Sequence, residues 1–253
     1  MQVYRHMDIG SAKIRAEEME GIRHHLIDIL EPDEEFHVVR FQQLAKQAME
    51  EIYGRGRIPI LVGGTGFYIQ AVLYDIDFTE NDGDPAYRKE LEALAQEQGA
   101  ETLHARLKEV DPKSAEEIHA HNVKRVIRAL EYFHLTGQPI SAHNEEQRQK
   151  ESPYCFAYFV LNDDRANLYR RIDKRVDQMM DEGLLEEVQL LKDRGYHKKM
   201  VSMQGLGYKE MLDHLDGICP LEEAVRILKR DTRHFAKRQL TWFKRERDVI
   251  WLN

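Results

Sequence analysis

Cysteine is nearly absent. Cys155 and Cys219 are the only two in 253 residues, which excludes a disulfide framework and points to a reducing, cytoplasmic setting. No apolar run approaches the roughly 20 residues of a bilayer-spanning helix, so no transmembrane segment is expected. The opening MQVYRHMDIG lacks the apolar stretch of a secretory leader. There is no internal repeat, no low-complexity tract, no Gly-x-Ser-x-Gly nucleophile elbow and no Walker A loop ending in Gly-Lys-Ser/Thr. What is present is a 42% hydrophobic chain, long enough to bury a real core and too apolar for general disorder. Its length fits one large domain or two small ones.

The formal net charge of −8 hides an asymmetry. Residues 1–120 carry 13 basic and 24 acidic side chains, whereas residues 192–253 carry 14 basic and 9 acidic. The stretch 226–247 alone holds nine basic residues against Asp231 and Glu246. Phosphates respond to the nearest charges through a short screening length. An acidic chain with a basic C-terminal element therefore suits a polyanion locally. A solvated helix face is the other reading.

Local patterning suggests a mixed order of elements. His25-Leu26-Ile27-Asp28-Ile29 alternates like a short strand. Residues 36–53 place Val39, Leu44, Ala48 and Ile52 at helical spacing, stopped by Gly54 and Gly56. Ile58-Pro59-Ile60-Leu61-Val62 reads as a strand buried on both faces, followed by Gly63-Gly64-Thr65-Gly66 and a helix over 67–72. Residues 79–85 have linker composition. Short helices are expected near 86–98, 101–109, 112–118 and 122–135, then a mobile connector over 141–152. A strand over 154–161 contains Cys155 as an inert apolar thiol. A helix over about 166–193 is capped by Asp163 or Asp164, with Leu168, Ile172, Val176 and Met179 as its stripe and Gly195 as its stop. A last helix over 221–245 carries Leu228, Phe235 and Trp242, and a strand over 249–252 closes the chain. The expected domains are an α/β core over 1–79 and 153–253 and a helical insertion over 80–152.

Four groups of residues invite chemistry. In the first, the glycines at 63–66 would let successive N–H groups and a helix N-terminus converge on an anion; a tight strand-to-helix turn needs glycines too. In the second, Arg170, Arg171, Lys174 and Arg175 share a helix. Arg171 and Arg175 sit four apart and repel unless an anion or an acidic neighbour lies between them. In the third, Lys124, Arg125 and Arg128 fall on one arc while Val126, Ile127 and Leu130 pack. In the fourth, Arg226, Arg230, Arg233, Lys237 and Lys244 line one face of the last helix, a pattern suited to nucleic acid or to an anionic membrane, of which the low overall basicity disfavours the membrane. The His24-His25 and His119-Ala120-His121 pairs lack a matching Cys or carboxylate pattern for a metal.

Several strings together resemble the bacterial tRNA dimethylallyltransferases, and they run through nearly the whole chain. They are Gln2-Val3-Tyr4-Arg5, Met7-Asp8-Ile9-Gly10-Ser11-Ala12-Lys13, His24-His25-Leu26-Ile27-Asp28 and Leu61-Val62-Gly63-Gly64-Thr65-Gly66-Phe67-Tyr68. After these come Arg125-Val126-Ile127-Arg128-Ala129-Leu130-Glu131, Gly205-Leu206-Gly207-Tyr208-Lys209-Glu210 and Ala236-Lys237-Arg238-Gln239-Leu240-Thr241-Trp242-Phe243. The resemblance implies an α/β fold: a P-loop, kinase-like parallel-sheet core with an all-helical insertion that grips the tRNA anticodon stem-loop. It implies transfer of a dimethylallyl group from dimethylallyl diphosphate to N6 of the adenosine 3′ of the anticodon, with Mg²⁺ as cofactor, in a cytoplasmic monomer with no membrane partner. By motif, Arg175 and Thr65 are the catalytic candidates, with Gly63, Gly64 and Arg175 on the diphosphate. The tRNA contacts would be Met1, Gln2, Thr65, Arg88, Lys124, Arg125, Val126, Ile127, Arg128, Gln204, Gly205, Leu206, Gly207, Tyr208, Lys209, Lys237 and Arg238.

In the family pattern, a strand, a Gly-rich loop ending in Gly-Lys-Thr and an Asp-Ser pair precede the residue matching Met1. Those strings are not in this sequence, so the phosphate cradle, the metal ligand and the general-base Asp are expected upstream. On that reading the metal has no ligand here, the apolar edges of 58–62 or 154–161 are exposed, and the 253-residue chain alone is poorly soluble or partly disordered and short of full activity. Arg175 is expected beside the turn at 63–66, and the basic residues around a groove between core and insertion. A kinase of the same core type and a non-catalytic tRNA-binding protein are the competing readings.

Overall fold

The computed structural model describes residues 1–78 and 84–253. The linker reading at 79–85 falls mostly outside them. The chain forms two compact units, Met1–Val72 with Cys155–Asn253, and Leu73–Tyr154.

In the first unit, α1 (Val38–Gly54) follows its sequence period, and His37 Nδ1 caps it by accepting from the Arg40 N–H. The Gly-rich turn leads into α2 (Gly66–Leu73). The unit's sheet is a two-stranded parallel ladder, β1 (Tyr158–Leu161) against β2 (Val249–Leu252), in the register Tyr158 to Val249. Parallel neighbours need a long crossover; here it is helical. Tyr158 and Val160 face inward, while Phe159 and Leu161 face out. The crossover begins with α8 (Arg165–Asp181), whose N-cap Asp164 accepts from the N–H groups of Ala166 and Asn167. It ends with α10 (Tyr208–Leu215) and α11 (Leu221–Phe243). Its core joins Val3, Tyr4, Met7 and Leu30 from the N-terminal loops to Val176, Leu184, Met203 and Leu228 from the helices.

Several expectations fail here, each for a tertiary or conformational reason. The run at 58–62 is not a strand. Ile58, Ile60 and Val62 are 84–88% exposed, and no described residue offers the segment a ladder, without which extended chain cannot become sheet. The strand at 25–29 is absent because Leu26 and Asp28 take φ of 62° and 54°, outside the β region. The segment is tied instead by single backbone hydrogen bonds from Asp28 to Gln2 and from Ile29 to Val3, and by an isolated bridge between Leu30 and Tyr4. The 154–161 strand shortens to 158–161, leaving Cys155 outside it and exposed. The helix read over 166–193 is two: α8 stops at Asp181, and α9 (Leu184–Asp193) begins after Gly183, whose φ of 99° a side chain would resist. Phe235, assigned to the apolar stripe of α11, is 39% exposed.

Among the described residues the regular elements of the second unit are helices: α3 (Pro85–Gln98), α4 (Ala100–Val110), α5 (Pro112–Glu117), α6 (Val123–Thr136) and α7 (Ile140–Gln149). Leu91, Leu103, Leu107, Val126 and Ile127 form its core. The connector expected at 141–152 is instead mostly helix α7. Its composition is polar, but it is tethered. Buried Asp111 accepts from the Ser141 N–H (3.0 Å) and hydroxyl (2.6 Å), Lys113 pairs with Glu145 (2.6 Å), and the Asp77 N–H donates to Gln147 (2.9 Å). Asp111 also caps α5 through the Ser114 N–H.

Candidate functional site

The turn at 63–66 packs against the C-terminal half of α11, and that contact explains two of its three glycines. A methyl group on Gly64 would lie 2.0 Å from Gln239 Nε2, the atom that donates to the Gly64 carbonyl at 2.9 Å. A methyl group on Gly66 would lie 2.1 Å from Trp242 Cδ1 and Nε1. Phe67 meets the same indole edge to face at 6.4 Å. Gln70 Nε2 donates to Glu246 Oε1 at 2.9 Å. Burial raises the pKa of that carboxyl, against the opposing pull of Gln70 and the Trp242 indole N–H. Gly63 differs: no described atom lies within 4 Å of its missing side chain, and its φ is not positive. No packing demand accounts for glycine there. Thr65 is exposed beside it.

The basic face of α11 divides along its length. Arg226 pairs with Glu223, Lys229 with Asp177 (2.5 Å), Arg230 with Asp231 (2.7 Å) and Arg233 with Asp173 (2.5 Å). These cations are committed to carboxylates, so the expected stripe over 226–233 is largely neutralised. Past that point Lys237, Arg238, Lys244, Arg245 and Arg247 are exposed and have no carboxylate partner among the described residues. Arg238 lies over the Phe235 ring at 5.7 Å. His234, Lys237, Arg238, Thr241, Trp242 and Arg245, spaced to fall on one helical face, line an open depression of about 390 Å³. A row of uncommitted cations beside exposed aromatic faces suits phosphates flanked by bases.

On α8, the acidic-neighbour reading holds for one arginine: Arg171 pairs with Asp163 at 3.3 Å. Arg170 donates to Asn167. Lys174 and Arg175 are exposed and without a partner among the described residues. No hydrogen bond or ion pair there ties Arg175 to the turn at 63–66.

Met1 and the segment 204–209 are adjacent. A methyl group on Gly205 would touch the Met1 methyl at 2.7 Å. Gln2 Nε2 donates to the carbonyls of Ala12 (2.9 Å) and Ser11 (3.3 Å). Gln204 is exposed and donates to the Lys198 carbonyl. Leu206 packs partly buried against the core, and Lys209 lies 3.3 Å from Glu210 and 3.7 Å from Asp231. Tyr208, expected to meet RNA, is fully buried, so its side chain meets none. Its hydroxyl donates to Glu187 Oε1 at 2.8 Å. Burial first, and the neighbouring carboxylate second, push the phenol far above the ordinary tyrosine range. Gly207, buried with φ of 94°, lets the chain pass close to Gly10.

In the second unit, Lys124, Arg125 and Arg128 project from α6 with no carboxylate partner among the described residues. Val126 and Ile127 are 0% and 4% exposed; their side chains belong to the core, which corrects their assignment as RNA contacts. Arg88 is corrected in part. Its guanidinium forks onto Glu131, Nε to Oε1 at 2.7 Å and Nη2 to Oε2 at 2.6 Å. The Glu131 side chain is only 3% exposed. That pair joins α3 to α6 before it can serve a ligand. Sequence reading passed over Glu131, Glu187 and Gln239 as functional elements. The only available signal was their place within or near the motifs.

The expected Mg²⁺ finds no cage here: among the described residues no three His, Cys, Asp or Glu side chains gather to hold a metal. No helix among them is long and apolar enough to cross a membrane.

A parallel strand pair, a glycine turn braced by a helix with uncommitted cations near its end and a helical unit with its own cationic arc define an α/β protein with exposed cationic surfaces. Comparison gives the class a family. The family model described as IPP transferase matches residues 2–246, and the chain belongs to that family. It is 68% identical over its whole length to a tRNA dimethylallyltransferase of Lachnoclostridium phytofermentans, covering 81% of that protein. It is 54% identical to one of Bacillus licheniformis, covering 80% of it. Among solved structures, the full-length tRNA isopentenylpyrophosphate transferase of Bacillus halodurans superposes with a TM-score of 0.71 at 49% identity, over 99% of this chain and 78% of that one. A eukaryotic dimethylallyltransferase acting on tRNA superposes with a TM-score of 0.85 at 29% identity, over all of this chain and 65% of that one.

Proposed function

We propose that this chain is a transferase that modifies tRNA by adding a dimethylallyl group. The finer reading is that the donor is dimethylallyl diphosphate and the acceptor is N6 of the adenosine 3′ of the anticodon, in a stem-loop held by the protein. One observation carries it. In a protein of this family, Lys237 and Arg238 on the last turns of α11 and Lys244, Arg245 and Arg247 just past its end are exposed and uncommitted, on the stretch whose Gln239 and Trp242 meet the glycine turn, while the cations earlier on the helix are neutralised by carboxylates. A non-specific solvated face has no reason to divide that way.

The chemistry asks three things of this chain. The bond between the prenyl C1 and the diphosphate oxygen breaks as the bond from N6 to C1 forms, and the proton lost from N6 passes to the departing diphosphate or to water. Negative charge therefore grows on the diphosphate, and Arg175 offers a guanidinium free to meet it, with the N–H groups of Gly63 and Gly64 as further donors. The bare edge at Gly63 leaves room for a substrate to come close to the backbone. Lys237 and Arg238 in the first unit, and Lys124, Arg125 and Arg128 in the second, meet RNA phosphates, so the adenine is presented unstacked rather than within a helix. Thr65, exposed on the turn, meets the target nucleotide.

The test uses purified protein, labelled dimethylallyl diphosphate and two anticodon stem-loops that differ only in adenosine or guanosine at the target position. Label should appear on the adenosine RNA alone. Folded protein that binds the stem-loop but labels neither RNA overturns the reading in favour of a non-catalytic binder. Label passed to a nucleotide or a small alcohol, with none to RNA, points to a different acceptor.

A further inference from the structure

Glu187, partly buried, is a junction between two segments far apart in the chain. It lies on the first turn of α9. Its Oε2 accepts the N–H groups of Asp8 (2.9 Å) and Ile9 (2.7 Å). Its Oε1 accepts the Gly10 N–H (3.2 Å) and the Tyr208 hydroxyl (2.8 Å). Three consecutive backbone N–H groups converging on one anion form a nest, the arrangement that elsewhere takes a phosphate. Here a side chain of the protein fills it.

The surroundings leave little freedom. A methyl group on Gly10 would sit 2.6 Å from Tyr208 Cζ, and one on Gly207 would sit 3.7 Å from Gly10 Cα, so the two segments already touch backbone to ring. The loop that begins at Asp8 runs on to Ser11 and Ala12, whose carbonyls hold Gln2. The segment that ends at Tyr208 begins at Gln204 and Gly205, and Gly205 touches Met1. Lys13, 5% exposed, ties the far end of the same loop to Asp8 and Asp28 at 2.5 Å each.

We infer that Glu187 is a positioning residue for RNA: its carboxylate draws the loop at 8–10 and Tyr208 together and so fixes Gln2 and Gln204 side by side as one contact surface. This rests on the proposed tRNA function. A glutamine in its place turns part of the acceptor into an NH₂ donor that faces backbone N–H groups, and the nest then loses its anion. An aspartate keeps the charge but is one methylene short.

The experiment measures the KM for the anticodon stem-loop and the KM for dimethylallyl diphosphate separately, with melting curves, in wild type, Glu187→Gln, Glu187→Asp and Tyr208→Phe. Wild-type turnover of RNA is the control. If it fails, the proposed function fails and Glu187 is not the cause. With wild type active, Glu187→Gln should raise the stem-loop KM about tenfold, roughly one step of binding free energy, and leave the diphosphate KM within about twofold. Glu187→Asp should recover part of the difference. Tyr208→Phe removes one donor of four and remains informative should Glu187→Gln fail to fold; it should raise the stem-loop KM about threefold. Unchanged stem-loop KM in folded variants overturns the inference. So does a parallel change in both KM values and kcat, which marks a purely structural residue.

Discussion

The glycine turn offers a direct way to separate packing from substrate binding, because its glycines differ in what surrounds them. Consider Gly66→Ala. The added methyl would sit 2.1 Å from two atoms of the Trp242 indole and 2.9 Å from a third. Carbon atoms rest at about 3.5–4.0 Å, so the indole must retreat by about 1.5 Å. It is not free to do so alone. The Phe67 ring packs against it edge on, and the next turns of α11 are held by Gln239 on Gly64 and by Gln70 on Glu246. Overpacking of this kind costs about 1–3 kcal/mol. The methyl recovers a few tenths as a better helix former at the first position of α2. A net loss of about 1–2 kcal/mol should lower the melting temperature by about 3–6 °C in a protein of this size. Gly64→Ala should behave alike, since it breaks the Gln239 contact. Gly54→Ala is the control: it is helical, with nothing within 4 Å, and should be neutral or raise stability by about 0.5 kcal/mol. Gly63→Ala should leave stability within about 0.5 kcal/mol yet lower turnover with the diphosphate donor, because only a ligand can require the bare backbone there. Thermal unfolding by circular dichroism together with prenyl-transfer assays reads both. Equal melting temperatures for Gly66→Ala and Gly54→Ala would refute the packing argument. Full activity in Gly63→Ala would refute the ligand argument.

Four further outcomes are expected. Arg175→Ala should keep its melting temperature, since no described carboxylate depends on it, and lose turnover by about 10- to 100-fold, the worth of a charge-assisted contact to a diphosphate; a melting defect without a rate defect would contradict this. Replacing Lys124, Arg125 and Arg128 together by Ala should flatten the log–log salt dependence of stem-loop binding by about 2, at roughly 0.7 per phosphate, and an unchanged slope would remove α6 from the RNA surface. Arg88→Ala strands the nearly buried Glu131 carboxylate and should cost about 2–3 kcal/mol of stability, read by denaturant titration; a cost under about 0.5 kcal/mol would mean that the pair does not tie α3 to α6. Burial pushes the Asp111 carboxyl up, but the donors at Ser141 and Ser114 outweigh it and hold its pKa below the ordinary value. Its stabilising effect is therefore fully present above about pH 4, the unfolded value, and is lost as pH falls through the lower folded value. The stability gap between wild type and Asp111→Asn should close on acidification, and a gap that stays constant from about pH 6 to pH 3 would refute this.

Much of the local structure was legible in the sequence because its causes are local. The apolar spacing at Val39, Leu44, Ala48 and Ile52 with glycines behind it marks α1, and Asp164 marks the start of α8 by offering a carboxylate to two free N–H groups. The continuous apolar run Val249-Ile250-Trp251-Leu252 marks β2. The family strings were legible for the same reason, being contiguous. What the sequence alone did not determine depends on partners far along the chain. Residues 58–62 read as a strand, but strand character becomes sheet only where another strand lies alongside. The polar segment 141–152 read as a connector, yet buried Asp111, thirty residues away, turns most of it into a helix. Nine basic residues over 226–247 look equivalent in sequence; Asp173 and Asp177 on α8 neutralise two of them, and Glu223 and Asp231 neutralise two more. Gly63, Gly64 and Gly66 look alike until α11 lies against the last two. Spacing records which residues share a face of their own element. Which face meets which, and so which charges and glycines remain available to a ligand, was decided only when the helices packed.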